Sequence, residues 1–192
     1  MRLKHRSALR WLALSVLGCC VPVAVFALAH PTATLKTLGF TCSAQTVCTD
    51  DPRRLDEALA LYDEAFKFVS ASVAPLEANP IVIFCATSSC YSFTGEPESA
   101  AKTVGKYIIV IAPRGWKPYV VRHEFIHRVQ GERLGIIGMY RRPEWYIEGM
   151  AYALSEDPRD QLRPPYQGER ARFQAWYTTV GKERMWSAES PK

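Results

Sequence analysis

Between residues 51 and 73 the apolar positions recur at alternating steps of four and three. Leu55, Leu59, Tyr62, Phe66, Val69 and Val73 share one helix face, with Asp51 as the cap and Pro52 at the first position. A stripe of that kind has to pack on something. The pattern offers a small sheet: Pro80 to Phe84 is a short apolar run, and Tyr107 to Ala112 is β-branched, aromatic and bounded by Gly105 and Pro113. Ala100 to Val104 can pair with the second run through a Gly105-Lys106 turn. Pro118 to about Leu134 reads as a helix with Gly135 beyond its end, followed by a loop from Gly135 to Arg142. Pro143 opens a further helix through about Ser155, stopped by Asp157-Pro158, and Gly168 to Thr179 gives one more. The succession predicts an α+β domain, a short mixed sheet packed on helices, after an irregular stretch over residues 30 to 50.

The first 29 residues read differently. Residues 11 to 29 carry no charge, follow a segment with Arg2, Lys4, Arg6 and Arg10, and end in the small-x-small sequence Ala27-Leu28-Ala29. The run is longer than the roughly 7–15 residues of a signal core and close to the ~20 that span a bilayer. It is expected as a signal peptide cleaved after Ala29 or as a single-pass membrane anchor. Either way the positive-inside bias puts residues 30 to 192, read as one domain, outside the cytoplasm, in the cell envelope.

Setting those four residues aside leaves 20 of the 24 basic residues against 19 acidic ones. A near-neutral domain has no electrostatic footprint for nucleic acid. Cys19 and Cys20 lie in the apolar run, and the ten apolar or small residues after Cys19 argue against a lipid-modified cysteine. The other cysteines form close pairs, Cys42 with Cys48 and Cys85 with Cys90, in an oxidising compartment. Two local disulfides are the first expectation among three connectivities. Neither pair has the CxxC spacing of a cysteine zinc site.

The chemistry sits at His123-Glu124-Phe125-Ile126-His127. Helical positions four apart lie about 40° apart around the axis and about 6 Å along it, so both imidazoles reach one point. Val121, Phe125 and Val129 fall on the opposite side, giving the helix a core face and a histidine face. Glu124 lies beside the pair. In this HExxH arrangement a zinc ion brings the pKa of its water towards ~7, and the glutamate takes the proton. A plainer reading competes: Glu124, Arg128 and Glu132 are also four apart and could form an exposed ladder of ion pairs.

A catalytic zinc needs a third protein ligand. His5 and His30 are the other histidines, and Arg133 stands where a third one would follow in the metzincin pattern, so a carboxylate is expected. Glu148 is the leading candidate, one turn inside the helix opened by Pro143, with Gly149 and Ala151 allowing close approach to the first helix. Glu144 is the runner-up, with a first-turn role at the helix dipole as its alternative.

The pentapeptide, with Trp145-Tyr146-Ile147-Glu148-Gly149-Met150-Ala151 beyond it, resembles the gluzincins. More narrowly it is similar to the bacterial peptidase MA-like domains, in which a W-x-x-E-G-x-A helix follows the HExxH helix. The likeness covers about residues 80 to 156. It implies a small thermolysin-like zinc domain in which His123, His127 and Glu148 hold Zn2+ and Glu124 is base and proton shuttle. An edge strand beside the active-site helix would bind a peptide or protein substrate in extended form. The sequence departs from the family in two places. Tyr152 replaces the acid that orients a zinc histidine, and no histidine is left to stabilise the oxyanion. Tyr152, Tyr166, Tyr177 and Arg163 are the candidates to replace it. Only 44 residues follow Glu148, which implies an open cleft without a large substrate-binding lobe. The implied activity is hydrolysis of extracytoplasmic peptide bonds. The alternatives are a membrane-anchored envelope binding or assembly module with a structural or inactive zinc site, and a plain disulfide-bonded scaffold.

Overall fold

The computed structural model describes residues 31–44, 46–104 and 108–186. The apolar run over residues 11–29, the expected Gly105-Lys106 turn and Tyr107 lie outside them. Among the described residues no helix is long and apolar enough to cross a membrane. The chain divides after Gly39. Ahead of the division, Pro31–Thr37 is a short helix, α1, where the sequence suggested irregular chain.

Beyond it, five short strands form one sheet: β1 (Thr41–Cys42), β2 (Val47–Thr49), β3 (Ile81–Phe84), β4 (Ala101–Val104) and β5 (Ile108–Ile111). Their spatial order is β1-β2-β3-β5-β4. The β2–β3 and β3–β5 pairs are parallel, and the two outer pairs are antiparallel. The sheet is thus mixed, as the sequence predicts, and β4 forms an edge. The central strands are continuous apolar runs because both their faces are covered: Ile83 and Val110 are buried as well as Val82, Phe84, Ile109 and Ile111. The β1–β2 hairpin was not legible in the sequence. Two and three residues are too few to show an alternation.

Asp51 is a cap as expected, accepting from the Arg53 amide at 3.1 Å, but the first turn is 3-10 and the α-helix α2 starts one turn later, Leu55–Ser72. Its predicted stripe faces inward, with Tyr62 and Val69 buried and the Tyr62 ring edge-on to Phe125 at 5.3 Å. A short helix α3 (Ser88–Tyr91) precedes β4. Then come α4 (Pro118–Arg141), α5 (Glu144–Leu154) and α6 (Tyr166–Val180), making six α-helices among the described residues. Val121, Phe125 and Val129 of α4 are inaccessible to solvent and join the core with β3, β5 and α2.

Two expectations need correction. Gly135 does break α4, with φ 68° and ψ 166°, a conformation open to a residue without Cβ, but the chain then resumes helix rather than running on as a loop. Gly149 does not serve the approach of α5 to α4. A Cβ there would stand 2.4 Å from the Glu169 carbonyl oxygen and 2.9 Å from Phe173 Cβ, so the glycine admits α6.

Both local disulfides are present, Cys42–Cys48 across the β1–β2 hairpin and Cys85–Cys90 after β3. They accord with an extracytoplasmic protein.

Candidate metal centre

Helix α4 carries His123 and His127 on the side away from its core face, and α5 brings Glu148 to the same point. His123 Nε2 and His127 Nε2 are 3.1 Å apart, His127 Nε2 is 3.4 Å from Glu148 Oε1, and His123 Nε2 is 3.6 Å from Glu148 Oε2. A tetrahedral ion with bonds of about 2.0–2.1 Å separates its donor atoms by roughly 3.3–3.4 Å. The observed separations, with Glu148 turning a different oxygen to each histidine, bracket that value. Two imidazoles and one carboxylate are therefore spaced as a divalent cation requires, and the donor set fits zinc among other ions. Glu144 is not part of the group. It is exposed and lines a separate small pocket with Glu169 and Arg172.

The electrostatics favour positive charge at this point. Burial opposes a charge on the His127 ring, yet Glu148, with smaller contributions from Glu124 and Gln130, raises its pKa to about 9. Burial would push Glu148 upward, but His127 and His123 hold its carboxyl well below the ordinary carboxylate range. A cation at the shared point replaces the proton in this balance.

Behind His127 stands a residue that sequence reasoning missed. Gln130 is fully buried; its Oε1 is 2.7 Å from His127 Nδ1 and its Nε2 donates to the Ile147 carbonyl at 2.9 Å and towards Met150 Sδ at 3.4 Å. With the amide N–H turned to α5, Oε1 must accept from Nδ1–H, which leaves the Nε2 lone pair free for a metal. The only available sequence signal was its place three residues after His127.

Glu124 is buried beside the cluster, and its Oε2 accepts from Thr103 Oγ1 of β4 at 2.7 Å. The competing ladder of ion pairs is half formed: Arg128 pairs with Glu132 at 2.6 Å, while Glu124 belongs to the site instead. Thr103, too, escaped the sequence reading, since only the pairing of β4 with β5 brings it to α4.

His123, Glu124, His127 and Glu148 line a cleft of about 800 Å³ that also takes in Lys102 and Thr103 from β4, Ile136 and Tyr140 from the end of α4, and Tyr152 and Tyr166. Tyr152 meets His123 through its ring and not as a hydrogen-bond acceptor. Their rings meet edge to face at 4.4 Å, and Tyr166 packs against Tyr152 at 5.1 Å. Burial, reinforced by the nearby Glu148 charge, raises the Tyr152 pKa to about 12, so its hydroxyl remains a donor. Arg163 lines the cleft with its guanidinium 5.8 Å from the Tyr166 ring. Tyr177 stacks on Phe173 and does not reach the cleft. Asp157, read from the sequence only as part of a helix stop, forms an ion pair on its wall with Arg159, which the sequence did not single out and whose guanidinium is 5.2 Å from the Tyr119 ring.

Comparison with protein-family models, with curated proteins and with solved structures finds no match to this chain. The functional reading therefore rests on the geometry of the site and the motifs that build it.

Proposed function

We propose that this chain is a zinc-dependent metallopeptidase of thermolysin-like organisation, a small peptidase MA-like domain that hydrolyses extracytoplasmic polypeptides. The observation that carries the reading is the convergence of His123, His127 and Glu148, whose ring nitrogens are 3.1 Å apart and lie 3.4 and 3.6 Å from the two Glu148 oxygens, with the Glu124 carboxylate beside them and a cleft in front.

When bound, zinc supplies a Lewis acid that polarises the scissile carbonyl and lowers the pKa of water. The remaining work belongs to the chain. Glu124 takes a proton from the attacking water as its oxygen bonds to the carbonyl carbon, and delivers it to the amine as the C–N bond breaks. Thr103 holds one oxygen of that carboxylate and leaves the other without a protein partner among the described residues. Tyr152 and Tyr166 offer O–H donors to the oxygen that becomes negative. Strand β4 is an edge whose outer backbone groups suit pairing with an extended peptide.

The test is elemental analysis of the purified full-length protein, beside its Glu148→Ala and Glu124→Gln variants, combined with a peptide-library digest. Stoichiometric zinc is expected in the wild type, none in Glu148→Ala, and in Glu124→Gln zinc retained with turnover reduced at least ~100-fold. Stoichiometric zinc with no cleavage of any peptide overturns the peptidase in favour of an envelope binding module.

A further inference from the structure

The last turns of α4 have a composition that the zinc site does not explain. Beyond the break at Gly135, Ile136, Ile137 and Tyr140 are 47%, 70% and 88% exposed, three of the five exposed large hydrophobic residues among those described. At 100° per residue, Ile136, Tyr140 and Ile137 lie within about 100° of arc, so they form one stripe. Leaving three large apolar side chains in water on a single short helix is costly unless something covers them.

The charges around the stripe say what could. Arg133 precedes it and Arg141 follows it; both are exposed, and neither has an ion-pair partner among the described residues. No acidic residue occurs from Arg133 through Pro143. Arg142 is turned away, its guanidinium 5.0 Å from the Tyr146 ring. An apolar stripe with an aromatic hydroxyl at its rim and unpaired arginines at both ends matches the layering of a lipid surface, hydrocarbon below and anionic headgroups above.

We propose that residues 136–141 seat this domain on an anionic membrane surface, with Ile136, Ile137 and Tyr140 entering the interface and Arg133 and Arg141 meeting headgroups. The contact is separate from any anchor in residues 11–29. Because Ile136 and Tyr140 also line the cleft, it brings the cleft mouth to the lipid surface, where polypeptide leaving the bilayer first becomes accessible.

The experiment uses the full chain carrying Cys19→Ser and Cys20→Ser, with Ile137→Cys labelled by an environment-sensitive fluorophore. It is reconstituted in vesicles containing phosphatidylglycerol and lipids brominated at known depths. Gln174→Cys, on an exposed position of α6, is the reference. The label at 137 is expected to be quenched most by shallow bromines, at a depth of ~5–10 Å, while the label at 174 is not quenched. Reversing both arginines, Arg133→Glu with Arg141→Glu, removes about 1 kcal/mol each and weakens the contact about 30-fold or more, so the quenching is lost. Equal quenching at 137 and 174 overturns the proposal. So does a label at 137 that is shielded in lipid-free detergent solution in proportion to protein concentration, which would assign the stripe to a second copy of the chain. Zinc content, measured on the same samples, separates a failure of this contact from a failure of the metal site.

Discussion

Gln130 Oε1 lies 2.7 Å from His127 Nδ1, and the same side chain is fixed on its other side by the carbonyl of Ile147, the residue before Glu148. One buried amide thus sets the tautomer of one histidine of the candidate centre and ties α4 to the helix that supplies Glu148. Because the acceptor is neutral, it orients the ring without adding a charge to the site.

Gln130→Ala is expected to lower zinc affinity ~10–100-fold, the usual effect of removing a partner that orients a ligand. Competition with a chromophoric chelator reads the affinity. Since the substitution also removes the Gln130 bond to the Ile147 carbonyl and leaves a void between α4 and α5, a thermal melt of the metal-free variant shows whether the fold has survived. An intact fold with unchanged affinity would mean that the His127 ring is held by packing alone.

Thr103→Val should act on turnover and not on metal content. The two side chains have nearly the same shape, and the hydroxyl gives its hydrogen bond to Glu124 Oε2, an oxygen of the proposed base and not of a ligand. A hydrogen bond to a charged group is worth about 1.5–3 kcal/mol, so turnover on a cleaved peptide is expected to fall about tenfold or more while zinc stays stoichiometric. Thr103→Ser should restore most of it. Zinc loss in the valine variant would move Thr103 from positioning the base to supporting the metal site.

Legibility in the sequence tracks the range of the physics involved. The histidine pair and its core-facing opposite side are set by the period of one helix, so His123, His127, Phe125 and Val129 were legible. Glu148 was legible because no spare histidine could complete the set and this acid stands one turn inside the next helix, beside Gly149 and Ala151. Strands β3 and β5 announced themselves as apolar runs. Thr103 and Gln130 gained their roles only through tertiary placement, one from strand pairing and one from the meeting of α4 with α5. The partner of Gly149 was misread for the same reason, since sequence shows that a helix can be approached but not by which neighbour.

Gly149→Ala tests that last point. The added methyl would meet backbone, the Glu169 carbonyl oxygen at 2.4 Å, which cannot swing aside as a side-chain tip could. Overpacking of this kind costs about 1–3 kcal/mol. For a chain of this size that corresponds to roughly 2–4 °C in Tm per kcal/mol, read by calorimetry on the metal-free protein. Because the clash lies between α5 and α6, the loss should be one of stability first, with zinc binding retained where the protein is folded. An unchanged Tm would show that α6 gives way at no cost.

The two disulfides should separate in the same manner. Cys42–Cys48 closes a separation of 6 residues across the outer hairpin, and Cys85–Cys90 closes 5 residues at the end of β3. By loop-closure entropy, bridges this short stabilise by about 2 kcal/mol each. Cys42→Ser with Cys48→Ser is thus expected to lower the urea midpoint and leave zinc affinity unaltered, because the hairpin stands at the far edge of the sheet from β4. The second bridge is tied into the core: the Cys85 carbonyl accepts from Trp116 Nε1 at 2.9 Å, and Trp116 meets Phe84 edge to face at 5.1 Å. Cys48 and Cys85 are equally buried, so each double variant leaves a hydroxyl in a buried position; removing the second bridge, Cys85→Ser with Cys90→Ser, also loosens the chain that carries this carbonyl and should cost more. Equal losses in the two double variants would show that the Trp116 contact does not depend on the bridge.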